Sequence, residues 1–295
     1  MERELLGHTV WILESAAAAA RRRSTDRSGV YLPLVNVAAS RAHLRHWRYM
    51  TRWLWVVLVC TPLAWPQSAS LPAKETLSFN IEWRLITAGK ARMEWNSSAS
   101  PSTAGSQVTL HVESVGLVSK LFRVEDDYAA NLGPGFCAQS SHLAASEGPR
   151  RRDTKITFDA GARKASYLER DLVKNAVVAS KEIDIPECVH DVVGGVFFLR
   201  TLNLEPGQSA EIPVSDGKKS VMAKVEAQQR EDIKTPDGTY KTIRYEIFLF
   251  DNVLYRRSAH LHVWLSDDRR RLPVQVRVRM QFTIGTITLQ LEKHE

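Results

Sequence analysis

Residues 190–208 read HDVVGGVFFLRTLNLEPGQ, and this stretch decides the fold. Asp191 suits an N-cap, because its carboxylate can accept from the free amides of a first helical turn. Val192, Val193, Val196, Phe197 and Arg200 then recur at helical spacing. Pro206-Gly207 supplies turn chemistry that ends the segment. Nearly everything else after residue 70 has strand character. One apolar helix among amphipathic strands needs a sheet face to cover. The expected fold is therefore mainly β: an antiparallel barrel or sandwich-like sheet with one short helix packed on or into it.

Upstream of the helix, Leu77, Phe79, Ile81, Trp83 and Leu85 alternate with Ser78, Asn80, Glu82 and Arg84, which gives one buried face. Ala88-Gly89 is expected to turn the chain into a second strand through Ala91, Met93 and Trp95. Residues 96–106 read as a loop, 108–112 as a strand and 116–122 as a short helical turn. Residues 123–132 read as a strand whose Glu125-Asp126-Asp127 run needs solvent. Residues 155–159, 165–170 and 177–183 continue the alternation more weakly. Downstream, strands are expected at 210–214, 220–230, 240–250, 258–265, 272–282 and 286–291. Ser215-Asp216-Gly217, Pro236-Asp237-Gly238 and Ser266-Asp267-Asp268 separate several of them. This regular spacing suits an antiparallel barrel or sandwich rather than βαβ units.

The N-terminal part has a different character. Residues 1–49 contain an alanine run followed by Arg21-Arg22-Arg23, and read as an unstructured or untranslated extension ahead of Met50. Residues 50–70, MTRWLWVVLVCTPLAWPQSAS, have the parts of a signal peptide: Arg52, an apolar stretch at 53–65, and small residues at 68–70. At 1.5 Å per residue that stretch makes about 20 Å of helix, short of the roughly 30 Å bilayer core. An uncleaved anchor at 53–65 is the alternative. Val59 before Cys60 does not suit a lipidation site. Residues 71–295 are then a single β-rich envelope domain, periplasmic or secreted.

The formal net charge of +7 is concentrated in the leader. Residues 1–70 carry nine arginines against four acids, which leaves residues 71–295 with 31 basic and 29 acidic residues. A near-neutral domain removes the main argument for a nucleic-acid partner. With Cys60 gone, Cys137 and Cys188 remain, and an even pair in an oxidising compartment is a disulfide candidate; two buried thiols are the alternative. No CxxC or HExxH spacing is present, so neither metal nor cofactor is expected.

Several segments together resemble a known family: FNIEWRLITAGKARMEW at 79–95, the Asp-led helix ending in Leu199-Arg200, PDGTYKT at 236–242, and VWLSDDRRRLPVQV at 263–276. They are similar to an uncharacterised family of exported bacterial proteins of unknown function. The resemblance covers most of 76–292 and implies a β-rich, barrel-like domain. It supplies no catalytic residues. The chain departs from the family pattern at Val192-Val193-Gly194-Gly195. Two helical glycines cost about 1 kcal/mol each against alanine unless a close contact requires them.

Each candidate for chemistry has a plainer reading beside it. His190-Asp191 could be part of a triad, but capping explains Asp191 and no GxSxG elbow exists. Asp267-Asp268 and the 125–127 run could bind a divalent cation, or could be solvated, with Asp267 or Asp268 paired to Arg269, Arg270 or Arg271. Trp83, Trp95 and Trp264 could line a lipid or glycan pocket, or fill core. Asn96-Ser97-Ser98 fits a glycosylation acceptor. No catalytic residue is assigned. The expected function is a non-enzymatic exported envelope domain that holds an apolar or amphipathic ligand or a partner protein, and meets the membrane only through its signal segment. A carboxylate-dependent hydrolase of an envelope polymer is the alternative, and a structural assembly factor is a third reading.

Overall fold

The computed structural model describes residues 71–84, 86–97, 105–280 and 285–295. The extension at 1–49, the signal-type segment with Cys60, Leu85 and Ser98 lie outside the described residues. Fourteen strands form one antiparallel sheet: β1 Lys74–Trp83, β2 Ile86–Ser97, β3 Ser106–Ser114, β4 Val124–Leu132, β5 Ala138–Glu147, β6 Arg150–Asp159, β7 Lys164–Asp171, β8 Ala176–Asp184, β9 Ser209–Ser215, β10 Ser220–Thr235, β11 Gly238–Ile247, β12 Ala259–Ser266, β13 Pro273–Met280 and β14 Thr286–His294. A six-residue helix α1, Gly116–Leu121, joins β3 to β4, and α2, Val192–Thr201, lies between β8 and β9.

Every strand pairs with its neighbour in sequence except at one place. The order runs β8 back to β1, then β14 back to β9, so the first and last strands pair and the meander is broken only between β8 and β9. That break is where α2 enters. A twisted sheet of more than about ten strands curls or splits. Accordingly the interior has two apolar clusters, one built largely on β9–β14 with β1, the other on β2–β7. The helix supplies Leu199 to the first and Val193 and Phe197 to the second.

Local chemistry accounts for the departures from the sequence reading. The first hairpin turns at Arg84, which takes a positive φ, and not at Ala88-Gly89. Gly89 lies within β2, where a Cβ would collide with the Glu113 carbonyl of β3. Strand β5, AQSSHLAASE, was not expected, because serine, alanine and histidine carry little β-propensity. Its ladders to β4 and β6 form nonetheless. Helix α2 stops at Thr201, well short of Pro206-Gly207.

Residues 189–191 stitch the break. The Ala138 amide donates to the Val189 carbonyl (2.7 Å), and the His190 amide donates to the Pro213 carbonyl (2.9 Å), so the lead into α2 ties β5 to the edge of β9. Cys137 and Cys188 are joined in a disulfide across the same region. A closed loop of this span, 51 residues apart in sequence, stabilises by about 4 kcal/mol on the loop-entropy model.

Candidate functional site

Helix α2 presents two different faces inward. Val193 and Phe197 form one. Phe197 is 1% exposed and stacks on Trp95 with ring centroids 4.8 Å apart, and Gly194 lies against Leu132. Val192, Gly195, Val196 and Leu199 form the other, at i, i+3, i+4 and i+7. This second face looks onto the sheet across a cavity of about 160 Å³.

The cavity wall is apolar throughout. Phe79, Ile212, Val225, Val263, Val276 and Leu289 are among the strand residues that face it, and among the described residues no charged or hydrogen-bonding side chain lines it. Val276 alternates inward with Val274 and Val278, and Leu289 with Ile287 and Leu291. Those four neighbours are fully buried, whereas Val276 and Leu289 are only half-buried. Space inside the sheet explains the difference. At about 24 cal/mol per Å³, a void of this size costs a folded protein roughly 4 kcal/mol compared with filled core. An apolar cavity of about 150 Å³ is known to stay dry and admit benzene-sized guests.

Two polar devices fix the helix beside this space. At its start, Asp191 accepts from the amides of Val193 (3.1 Å) and Gly194 (3.2 Å), and from the Tyr128 hydroxyl. Burial pushes Asp191 above the usual carboxylate range, against the pull of those three donors, and holds the Tyr128 phenol neutral. At the far end Arg200, fully buried, grips Glu75 of β1 through both terminal nitrogens (2.5 and 2.8 Å) and donates to the Arg270 carbonyl (3.0 Å). Glu75 shares the inward parity of Leu77 and Phe79, so the pair sits at the core face of the sheet.

The sequence-based candidates fall into place around these. His190 and Asp191 do not form a relay. The His190 Nδ1 meets the Phe136 carbonyl at 2.8 Å, its ring stacks on Phe198, and Asp191 is committed to the cap and to Tyr128. The space beside Asp191 is about 30 Å³, room for a water and not for a sugar. Asp268 pairs with Arg270 (3.0 Å), whereas Asp267 pairs with Arg230 (2.8 Å) rather than with the adjacent arginines. Asp126, in the run expected to need solvent, is 1% exposed and accepts from the Ser146 amide. Among the described residues no three His, Cys, Asp or Glu converge as metal ligands. Trp95 is core against the helix, and Trp83 is half-buried at its edge. Trp264 is also buried, 3% exposed, but in parity with His260 and His262 rather than with the main cluster; it lies under Arg277 and donates to Glu231 (2.9 Å).

Two contributors, Glu75 and Tyr128, were not singled out in the sequence. Glu75 carried a signal, since a carboxylate at an inward strand position requires a partner. Tyr128 carried none. Of the two helical glycines noted in the sequence, the close contact expected there exists at Gly194 and not at Gly195.

Among solved structures, the chain is similar to a β-barrel-like protein of domain of unknown function DUF1849 from Brucella abortus, at 8% identity over 76% of this chain and 98% of that one, with a TM-score of 0.48. It is also similar to a candidate exported protein with a YmcC-like fold from Bacteroides fragilis, at 8% identity over 77% and 98%, with a TM-score of 0.30. No curated protein matches the chain. A family model described as protein of unknown function, DUF3108, matches residues 78–292. That match takes in every strand from β2 to β13 and both helices, and the chain belongs to this family.

Proposed function

We propose that residues 71–295 are a non-enzymatic envelope domain that binds an apolar or amphipathic ligand, with the apolar part lodged between α2 and the sheet. The all-apolar cavity of about 160 Å³ carries this reading. A polar end of the ligand stays outside, because the wall offers it no partner. Residues 50–70 act as the export signal, and an oxidising compartment suits the Cys137–Cys188 disulfide. The alternative is a carboxylate-dependent hydrolase of an envelope polymer; Asp191, committed to the cap of α2 beside about 30 Å³ of space, is not its carboxylate, and the polar groove between Glu94 and Asp127 would be its place.

Native mass spectrometry of protein purified from the envelope tests the reading. Wild type is expected to carry an added mass, and Gly195→Leu, which fills the cavity from the helix, to lose it while remaining folded. A wild-type protein that is always bare, and that fails to take up dodecanoic acid, refutes it.

A further inference from the structure

We propose that one end of the β1–β8 half of the sheet is a docking surface for an anionic lipid bilayer. This inference stands independently of the cavity. In a meander, alternate connections fall on the same end. The pairings Trp83↔Ile86, Glu113↔Glu125, Glu147↔Arg150 and Asp171↔Ala176 therefore place four connections side by side: β1–β2, β3–α1–β4, β5–β6 and β7–β8. At about 4.8 Å between strands, they span roughly 30 Å from β2 to β8.

Exposed apolar side chains concentrate there. Leu117 and Leu121 are each 66% exposed, Leu172 57%, Val173 65% and Ile86 45%. Val177 and Val178, early in β8, continue the patch. Among the described residues, the other large hydrophobic side chain comparably exposed is Met222. Scattered exposed leucines need no explanation, but a cluster does. The display is also built. Val118 is buried and anchors α1, which turns Leu117 and Leu121, at i and i+4, outward together.

Charge identifies the occupant. Residues 84, 115–123, 148–151 and 172–175 contain Arg84, Lys120, Arg123, Arg150, Arg151 and Lys174; the acids nearest them sit at the strand ends behind, Glu113 and Glu125 exposed, Glu147 and Asp171 buried. Arg123 pairs with Glu125 just inside β4 (2.7 Å). A protein partner would call for a shaped apolar patch. Separate apolar tips interleaved with cations instead suit a soft, anionic interface, where leucines enter the acyl boundary and basic side chains meet headgroup phosphates.

The test uses the full chain, with site-resolved hydrogen exchange separating this surface from the apolar segment at 53–65. Phosphatidylethanolamine–phosphatidylglycerol vesicles should slow exchange at 115–123 and 172–175, and leave the opposite turn at 236–238 unchanged. Phosphatidylcholine vesicles should do so far less. Combining Leu117→Ser, Leu121→Ser, Leu172→Ser and Val173→Ser should weaken vesicle binding roughly tenfold or more, with the melting temperature preserved because these side chains are exposed. Protection confined to 50–70, equal protection by both lipids, binding unchanged in the combined variant, or tip protection that depends on protein concentration without lipid would each overturn the proposal.

Discussion

The adjacent glycines of α2 should respond to the same substitution in opposite ways. Alanine gains about 1 kcal/mol of helix propensity over glycine at either position. At Gly195 nothing opposes that gain. The nearest atom to an added Cβ is the His190 Cβ at 3.9 Å, an ordinary contact, and the residue borders the cavity. Gly195→Ala should therefore stabilise by about 1 kcal/mol, or raise the melting temperature by roughly 2–4 °C for a domain of this size. At Gly194 the added Cβ would lie 2.5 Å from Asp191 Oδ1 and 3.0 Å from a Leu132 methyl. Leu132 is fully buried and Asp191 is held by Tyr128, so neither can yield freely. Disturbing the cap costs about 0.5–2 kcal/mol and overpacking a core leucine about 1–3. Against the propensity gain, Gly194→Ala should lose about 0.5–4 kcal/mol. Urea titration of both variants beside wild type reads the difference directly. If Gly194→Ala proves as stable as Gly195→Ala, the close contact at the helix start is wrong, and with it the placement of the cavity on the other face.

Arg200→Ala should destabilise by about 3–5 kcal/mol, because it leaves Glu75 buried without its counter-ion. Arg200→Met with Glu75→Leu should recover most of that loss in a denaturant titration, and equal instability of the single and double variants would count against the buried pair. His190 gives a pH signature. Burial holds its imidazole below the ordinary 6.5, so the folded chain takes up this proton less readily than the unfolded chain. Its contribution is complete above about 6.5 and is lost as pH falls from there. The stability gap between wild type and His190→Gln should narrow between about pH 7 and pH 5. Asp191, shifted upward by burial, titrates in both proteins and largely cancels; a gap that is flat or widens would contradict the assignment.

Much of the fold was legible because it rests on short-range rules. Asp191 announced the start of α2, and alternation announced β1 and most strands after the helix. What failed was governed by contacts at long range. Strand β5 has weak propensity and is held by β4 and β6. The first hairpin turns at Arg84, and Gly89, which a turn-residue reading takes for the turn, lies inside β2 against the Glu113 carbonyl of β3. Trp264 is buried, as an aromatic strand residue was read to be, but off the main apolar cluster, one residue out of the inward register and beneath Arg277. Asp126 shows the reverse: an acidic run read as solvated, although strand parity sends its middle member inward to a backbone amide.

The cavity belongs to a third kind. Alternation tells which side chains face inward, not whether together they fill the interior. Filling depends on the summed volume of strands far apart in sequence, and on how close the helix lies to them. Here the cap, the disulfide beside it and the Arg200–Glu75 pair fix that distance from both ends of α2. Gly194 lets the helix settle tightly on the Trp95 side, and Gly195 withholds a side chain from the opposite face. A helix introduced only to cover the sheet would gain from alanine at Gly195, which has no steric reason to be glycine. That residue makes sense where the space beneath the helix is itself used, and its substitution can separate stability from binding.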